Sequence, residues 1–231
     1  SRQLRYDPNT RMEGLETTAS SLASAEQRRG RAGRQCPGRC IRLWSPAEQQ
    51  RRPRFHPPEL LLADPQPVLM ELAQWGAGLG EELPWLDPPP AAAMQEGQRG
   101  LQQLGLLEED GRISGRGRMI SGLGVHPRLG MLLLEAHERG APQLGCDLAA
   151  ILSERDPFDS RQIGSDLEAR LGGLKRHQPL RDLSLQLRRQ LQRLGPSPKG
   201  RGSSVSAGDL ILAAFPEWLA QQRPDQTGRY Q

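Results

Sequence analysis

Proline and glycine divide this chain into short segments, and this punctuation limits what it can fold into. The 231 residues include 26 glycines and 20 prolines. Amphipathic segments repeatedly begin at a proline and end at a glycine, as in PRLGMLLLEAHERG at 127–140. Proline is tolerated in the first helical turn and glycine commonly follows the last. Because hydrophobic residues make up 35% of the chain and aromatic residues 4%, we expect short helices, many connections and several modest cores.

The middle of the chain predicts two helices followed by a hairpin. PVLMELAQWG (67–76) and AAAMQEGQRGLQQLG (91–105) each place apolar residues on one helical face. In LLEEDGRIS (106–114), Asp110-Gly111 favours a type I′ turn. Helix, helix, hairpin is the order of elements typical of a winged-helix unit.

The C-terminal part is predicted to be helical, with segments at 127–140, 142–156 and 179–195. In the last of these, five leucines are spaced to form one stripe: Leu180, Leu183, Leu187, Leu191 and Leu194. Residues 195–206 indicate a flexible connection. A final helix over 207–222 is predicted to bend or restart at Pro216, and the terminal TGRYQ is typical of a beginning strand.

The first 67 residues are less regular. They predict extended or loop segments, a helix carrying AEQRRGRAGRQCPGRC (25–40), and a strand at CIRLWS (40–45) with one buried face. Residues 45–67, rich in proline and arginine, are interpreted as a linker between domains. The cluster of serines before the helix is better explained by N-capping than by a nucleophilic role, since no histidine is near it in sequence: Ser20, Ser21 and Ser24.

Positive charge is concentrated in one region. From Glu26 to Arg54 there are nine arginines against two glutamates, Glu26 and Glu48, which gives a local net charge of +7. Because the formal total is +4, the remainder of the chain carries a net charge of −3. A basic patch of this kind indicates phosphate or another polyanion as its partner.

Within this patch, a helix would place one amide and two guanidinium groups on the same face. Gln27, Arg31 and Arg34 have the spacing i, i+4 and i+7, and Arg28 lies three residues before Arg31. The small residues between them let backbone or ligand approach closely. Spacing alone leaves two interpretations open. The arginines could stabilise a triphosphate during phosphoryl transfer, or bind nucleic acid phosphates without chemistry.

Other candidate residues give weaker indications. Arg112, Arg116 and Arg118, at and after the predicted hairpin, are expected either to contact a nucleic acid backbone or to be solvated. Trp75 and Trp85 are interpreted as winged-helix core rather than as platforms that stack on bases.

The cysteines and the hydropathy pattern bound the class of protein. An odd number of cysteines, three, argues against a disulfide framework. The C-x3-C spacing of Cys36 and Cys40 lacks a nearby pair to complete a metal site, so no metal is expected. No apolar run approaches the roughly 18 residues of a membrane span. Without a signal peptide, a cytoplasmic location with no membrane partner is expected.

QRRGRAGR, residues 27–34, resembles motif VI of the DEAH-box branch of superfamily 2 helicases. The motif is Q-R-x-G-R-A-G-R, and all seven specified positions match. LETTASSLASAE (15–26) resembles the usual lead-in to this motif, and YDPNTRMEGLETT (6–18) resembles the strand segment after motif V.

The resemblance continues along nearly the whole chain. WLDPPP (85–90), residues 101–136 and AAILSERDPF (149–158) resemble the winged-helix and ratchet domains of this family. SDLEARL (165–171) and LAAFPEWLAQQRPDQTGRYQ (212–231) resemble the bacterial HrpB type more narrowly.

This resemblance implies a mixed α/β N-terminus, the end of a RecA-like lobe, followed by a mainly α part with a winged helix and a helical ratchet bundle. The implied domains are the second RecA-like lobe at 1–58, the winged helix at 59–125, the ratchet at 126–222 and the start of a β domain at 223–231.

The resemblance also implies roles for motif residues. Gln27 would help hold the attacking water or the γ-phosphate of ATP. Arg31 and Arg34 would be arginine fingers, and Arg28 would link movement at the ATP site to the rest of the helicase core. Gly30 and Gly33 would be packing positions.

The chain lacks the G-x-x-x-x-G-K-[ST] motif that cradles phosphates and the D-E-x-H motif that holds magnesium. ATP with Mg²⁺ is therefore expected to be bound mainly by a missing N-terminal RecA-like lobe, and the chain alone is expected to be inactive. The expected function is the C-terminal portion of an ATP-dependent helicase acting on single-stranded nucleic acid, with RNA preferred. The alternative is a stand-alone winged-helix module that binds nucleic acid without catalysis.

Overall fold

The computed structural model describes residues 1–7, 12–154, 156–158, 164, 166–198 and 204–220. The chain divides into two compact units. Unit 1 comprises Ser1–Pro65 and Glu82–Gly97, and unit 2 comprises Gln66–Glu81 and Gln98–Gln231. The described residues are mainly helical, with one two-stranded sheet that lies in unit 1. No helix among them is both long enough and apolar enough to cross a membrane.

Unit 1 begins with an antiparallel hairpin. Strand β1 (Arg2–Asp7) pairs with β2 (Met12–Thr17), in a register that runs from Arg2 opposite Thr17 to Asp7 opposite Met12. Helix α1 (Leu22–Ala32) follows and carries most of the basic motif. The hairpin therefore leads directly into the helix on which the candidate site is built.

The strand predicted at residues 40–45 is absent from this structure. These residues form no regular element, and the side chains of Ile41 and Leu43 are 81% and 91% exposed. Alternation of apolar and polar residues satisfies only the side-chain requirement of a strand, because the backbone also needs a hydrogen-bonded neighbour. No described segment pairs with these residues.

The interpretation of residues 45–67 as a linker is wrong. They contain helix α2 (Pro46–Arg51), which begins with a capping box between Ser45 and Glu48, and a 3₁₀ turn at Glu59–Leu61. Two amides of α1 donate to carbonyls of this segment, and the Tyr6 amide of β1 donates to its Leu62 carbonyl at 2.7 Å. The prolines stiffen a segment that packs on its own unit.

The helices predicted in the middle of the chain are confirmed as α3 (Gln66–Trp75) and α4 (Ala91–Gln103). The hairpin after them is confirmed as a single bridge between Leu107 and Ile113. Helix α5 (Gly115–Ser121), capped by Ser114, was not predicted.

The hairpin turn differs from the type I′ prediction. The Gly111 amide donates to the Glu108 carbonyl at 3.0 Å, and the Glu108 amide donates to the Arg112 carbonyl at 2.8 Å. The turn therefore spans residues 108–111, with Gly111 at its end in a left-handed conformation (φ +81°). A left-handed glycine at the last position of the turn is typical of a hairpin with a three-residue loop.

The largest core of unit 2 lies between helices of its C-terminal part. These helices are α6 (Pro127–Glu138), α7 (Pro142–Ser153), α8 (Leu167–Leu174), α9 (Gln178–Leu191) and α10 (Ala207–Ala214). The predicted leucine stripe is confirmed, because Leu187 and Leu191 are buried in this core and Leu183 packs against it. Hydrophobic burial between these helices holds the bundle together, and α6 is buried on nearly all sides.

The predicted break at Pro216 is confirmed, but the helix does not continue to the last described residues, since Leu219 and Ala220 form no regular element. Helix α10 stops at Ala214, and a 3₁₀ turn restarts at Pro216–Trp218. The predicted strand start and β domain at 223–231 lie outside the described residues, as do residues 199–203 of the predicted flexible connection.

Candidate functional site

Helix α1 begins at a well-satisfied N-terminus. Ser21 is the N-cap, and its hydroxyl accepts a hydrogen bond from the Ser24 amide at 3.1 Å. This confirms N-capping for Ser21, whereas Ser20 lies before the cap and Ser24 within the helix. The amides of Leu22 and Ala23 donate to the carbonyls of Pro53 and Arg54 at 2.9 and 3.0 Å. Since the first-turn donors already have acceptors within the chain, this end of α1 is not the place where an anion would bind.

The anion-binding character lies instead on the exposed side chains nearer the other end of α1. Gln27, Arg28, Arg29 and Arg31 are all exposed. Arg29 forms an ion pair with Glu26 at 2.8 Å, and Arg42 also pairs with Glu26. Arg28 donates to the Ser1 hydroxyl at 3.2 Å. Two of the motif arginines are therefore already engaged within the chain.

Arg31 and Arg34 differ from these neighbours. Neither side chain takes part in a hydrogen bond or ion pair with any described residue, and the same is true of Gln27. Both guanidinium groups are exposed, and no carboxylate in the described part of the chain neutralises them. Within the described part of the chain, these two motif arginines keep their guanidinium donors free for a ligand.

The prediction that Arg34 lies on the same helical face as Gln27 is wrong, because α1 ends at Ala32 with Gly33 as its C-cap. Arg34 lies in the turn that follows. The chain then returns to the helix end, where a Cβ on Gly38 would be 2.0 Å from the Ala32 carbonyl oxygen. Glycine weakens a helix, which accounts for the early stop. Gln27 and Arg31, at i and i+4, remain within the helix.

Gly30 and Gly33 were expected to be packing positions, but in this structure both are open. A Cβ at either position would meet no heavy atom within 4 Å. Nothing described in the chain therefore uses the closeness that glycine permits, and the backbone here is free for something outside the described residues to approach.

The site combines one amide and two free guanidiniums beside an open backbone. Guanidinium presents donors in a fixed fork that matches phosphate oxygens. These residues therefore fit the polyphosphate of a nucleotide. Among the described residues, no group of three or more His, Cys, Asp or Glu side chains is arranged to hold a metal ion.

The three arginines predicted near the hairpin of unit 2 have different surroundings. Arg116 pairs with Glu135 at 3.1 Å and with Glu138 at 2.6 Å. Arg118 donates to the Ile113 carbonyl at 2.9 Å. Arg112 is 84% exposed, with one loose ion pair to Asp110 at 3.5 Å. Of the three, Arg112 is the one most available to a phosphate backbone.

Sequence reasoning also misplaced one aromatic residue and missed a polar cluster. Trp75, predicted to be core, is 73% exposed, since it occupies the last position of α3. The missed cluster joins Arg52, Trp44 and His56 to the start of α1. No periodicity marks such residues, because each acts through one contact that is distant in sequence.

Comparison with known proteins supplies the context of this site. No protein-family model matches the chain. Over 231 residues it is 36% identical to the ATP-dependent RNA helicase HrpB of Escherichia coli K12, covering all of the chain and 27% of HrpB. It is 35% identical over 170 residues to the ATP-dependent RNA helicase HrpA of the same organism, covering 70% of the chain and 13% of HrpA. A crystal structure of the E. coli DEAH/RHA helicase HrpB superposes on this chain with a TM-score of 0.82 at 33% identity. The superposition covers the whole of this chain and 28% of the HrpB structure.

The chain matches HrpB/HrpA-type DEAH-box helicases, and the match to HrpB extends over its whole length. The resemblance inferred from QRRGRAGR is thereby confirmed. The chain spans 27% of the length of the HrpB relative that it matches along its whole length. QRRGRAGR thus lies in a sequence that is related throughout to HrpB, a protein named as an ATP-dependent RNA helicase.

Proposed function

We propose that the chain is the C-terminal portion of an ATP-dependent RNA helicase, in which Arg31 and Arg34 act as arginine fingers. The observation that carries this proposal is the contrast within the motif. Arg28 and Arg29 are engaged with Ser1 and Glu26, whereas Arg31 and Arg34 have no partner among the described residues. Fingers must keep their donors free until a nucleotide arrives.

The chemistry follows from where charge appears. ATP with Mg²⁺ would be held mainly by the P-loop and D-E-x-H motifs of a separate RecA-like lobe. The free guanidiniums of Arg31 and Arg34 would face the γ-phosphoryl group, whose charge is redistributed as it is transferred. The Gln27 amide, one helical turn before Arg31, would orient the attacking water or the γ-phosphate. The open backbone at Gly30 and Gly33 leaves room for the nucleotide or the other lobe.

The remainder of the chain would contribute to a channel for single-stranded RNA. Under this proposal residues 1–58 complete the second RecA-like lobe, residues 59–125 form the winged helix and residues 126–222 form the ratchet. Arg112, on the hairpin, is the best placed of the predicted nucleic acid contacts, because its side chain is 84% exposed. Arg116 and Arg118 would act mainly within the fold.

The test is substitution in the longer protein that contains both lobes. Arg31→Ala and Arg34→Ala should each reduce RNA-stimulated ATP hydrolysis by about 10³- to 10⁵-fold, the typical contribution of an arginine finger. Binding of ATP and of RNA should remain nearly unchanged, since the fingers act most strongly in the transition state.

Arg29→Ala is the matched variant, because it removes an arginine that is already paired with Glu26, and it should have a far smaller effect. Equal losses from Arg29→Ala and Arg31→Ala would mean that the motif acts as a diffuse basic patch. Normal hydrolysis by both finger variants would exclude the finger role of Arg31 and Arg34. No ATP hydrolysis by the unmodified longer protein would favour a nucleic-acid-binding module without catalysis. The 231-residue chain alone should not hydrolyse ATP.

A further inference from the structure

Helix α1 is not oriented by hydrophobic packing. Of its eleven residues, Ala25 is the one that is buried. Most helices in proteins are held by an apolar face, and α1 has none of any size. Its direction, and with it the place of Arg31, must depend on polar contacts.

Glu26 and Arg28 make side-chain contacts with Arg42 and Ser1, but the backbone hydrogen bonds of α1 to another segment lie at its N-terminal end. Their acceptors are in residues 52–56, which we call the capping segment. The Ser21 amide donates to His56 Nε2 at 3.4 Å. The amides of Leu22 and Ala23 donate to the carbonyls of Pro53 and Arg54 at 2.9 and 3.0 Å. Together with the Ser21 hydroxyl, they satisfy the donors that every helix leaves unpaired at its start.

Arg52 fixes the residue before the N-cap. Its Nη1 donates to both the carbonyl and the hydroxyl oxygen of Ser20, each at 3.0 Å. Its guanidinium lies 3.8 Å above the ring of Trp44, whose indole N–H donates to Gln49 of α2 at 2.7 Å. Ser20 and Ser21 are buried, at 6% and 1% exposure. Arg52 therefore connects α2 to the buried entry of α1.

The capping segment is itself anchored to the hairpin. The ring of His56 contacts the side-chain amide of Gln3 at 2.7 Å, and Gln3 in turn accepts a hydrogen bond from Thr18 at 3.2 Å. The start of α1 is thus held from two sides, by β1 and by α2, while the arginine end is exposed.

A small change in direction at the start of α1 would displace Arg31, which lies near the other end of the helix. At about 1.5 Å per residue, the nine steps from Leu22 to Arg31 correspond to roughly 13 Å along the axis. A tilt of about 5° at the start would move Arg31 by about 1 Å, and a displacement of that size can reduce a catalysed rate by about 100-fold.

We propose that Arg52 is a positioning residue for the arginine motif, acting through Ser20 and the capping segment on the direction of α1. This inference rests on the proposed function of Arg31. Arg52 does not itself contact the nucleotide. It keeps the exposed end of α1 in one direction, which the sparse packing of that helix cannot do.

The experiment uses the longer protein and the variant Arg52→Gln. We expect kcat for ATP hydrolysis to fall by about 10- to 100-fold with KM for ATP little changed, since the finger contributes mainly to the transition state. Arg5→Gln is the matched control, because it removes the same charge from an exposed ion pair with Glu16 at 3.0 Å in the same unit. Its kcat should stay close to that of the unmodified protein.

The same substitution made in the Arg31→Lys protein distinguishes a positioning role of Arg52 from a general loss of structure. In Arg31→Lys, which has already lost the finger geometry, Arg52→Gln should cause little further decrease in kcat, because coupled residues are not additive. The same decrease in both backgrounds would overturn the proposal, as would normal kcat in Arg52→Gln when Arg31→Lys is impaired. Full activity of Arg31→Lys and Arg31→Ala would instead refute the proposed function.

Ser20→Ala provides a milder variant if Arg52→Gln does not fold. It removes one of the two acceptors of Arg52 and leaves the carbonyl contact in place. We expect a smaller decrease in kcat that again disappears in the Arg31→Lys background. A decrease that persists there would contradict positioning through α1.

Discussion

Helices α1 and α6 are almost equal in length but are held in different ways. Ten of the twelve residues of α6 are buried, including the run from Leu129 to Leu134, whereas Ala25 alone is buried among the eleven residues of α1. Helix α6 is fixed along its length by apolar contacts. Helix α1 is fixed at one end by hydrogen bonds, and its other end presents arginines to the outside.

This difference shows what each arrangement permits. Burial stabilises a helix by about 25 cal/mol for each Å² of apolar surface removed from water, but it leaves few side chains free for a ligand. A helix held by its end contributes less to stability and keeps nearly every side chain available. If this difference is real, the two units should respond differently to thiol labelling, to truncation of side chains, to acid and to loss of a helix cap.

The largest difference between the two units is expected in the rate at which their cysteine thiols react. Cys36 follows α1 and is exposed, while Cys146 in α7 is completely buried, and burial raises the pKa of its thiol to about 12. The thiolate is the reactive form, so Cys146 should react only when unit 2 opens. We expect a maleimide at pH 8 to label Cys36 and Cys40 quickly and Cys146 at least about 10³-fold more slowly, given the usual stability of a folded unit.

Mass spectrometry of the modified peptides would give the three rates, with the urea-unfolded chain as the reference in which all three thiols react. Comparable rates for Cys146 and Cys36 in the native chain would show that the core of unit 2 is loosely packed.

Truncation of a side chain in the two helical regions should change stability by very different amounts. Leu148→Ala empties a fully buried position in the core of unit 2 and should lower the free energy of unfolding by about 2–5 kcal/mol. Arg31→Ala removes an exposed side chain that has no partner among the described residues, and it should change the free energy of unfolding by less than about 0.5 kcal/mol. Urea denaturation followed by circular dichroism would measure both. A large loss from Arg31→Ala would mean that the motif stabilises the fold.

The two regions also differ in how much the sequence could predict. The leucines of α9 recur with helical spacing, so both the helix and its buried face could be predicted from Leu187 and Leu191. Periodicity reports burial, and unit 2 is organised by burial. The type of turn at Asp110-Gly111 was predicted wrongly, because this pair of residues is compatible both with a type I′ turn and with a turn that begins one residue earlier.

In unit 1 the motif identified the functional residues but not their geometry. The helix was assumed to continue to Arg34, yet it ends at Ala32. The role of Arg52 could not be predicted, because its partner Ser20 lies 32 residues away and no pattern links them. The residues at 40–45 had the alternation of a strand without a neighbour to pair with. Contacts between distant polar residues are not periodic, and unit 1 depends on them.

An acidic pH range should weaken unit 2 through one buried arginine. Arg170 is buried, and its guanidinium donates twice to Asp156, at 2.7 and 3.1 Å. These hydrogen bonds hold the pKa of Asp156 below its ordinary value of 3.8. A carboxylate with a lowered pKa in the folded state stabilises it above the ordinary pKa, and this contribution is lost as the pH falls through and below about 4.

Asp156→Asn removes the charge and should lower the stability at pH 7 by about 0.5–1 kcal/mol, because Arg170 loses an ionised acceptor whose side chain is 40% exposed and screened by solvent. The variant should also lose part of the acid dependence of stability between pH 5 and pH 3. Denaturation curves across this range would measure both effects. An acid dependence identical to that of the unmodified chain would exclude Asp156 as a contributor.

The smallest expected effect comes from one of two helix caps, where the comparison is most direct. Ser21 caps α1 and Ser206 caps α10, and each hydroxyl accepts one amide, at 3.1 and 3.2 Å. Loss of a serine cap typically costs about 1 kcal/mol. Ser206→Ala should lower the unfolding free energy of the chain by about this amount, because α10 is part of the core of unit 2.

Ser21→Ala should lower the unfolding free energy by less, about 0.5 kcal/mol or below, for two reasons. The capping segment still accepts the amides of Ser21, Leu22 and Ala23, so one donor is released rather than four. Helix α1 also has little buried surface to transmit the loss to the cooperative unfolding of the chain. The change should appear instead as faster hydrogen exchange of the Ser24 amide and the following turn. If the two serine variants shift the urea midpoint equally, α1 is coupled to the folded core as strongly as α10 is, and end-capping by residues 52–56 would not be what holds it.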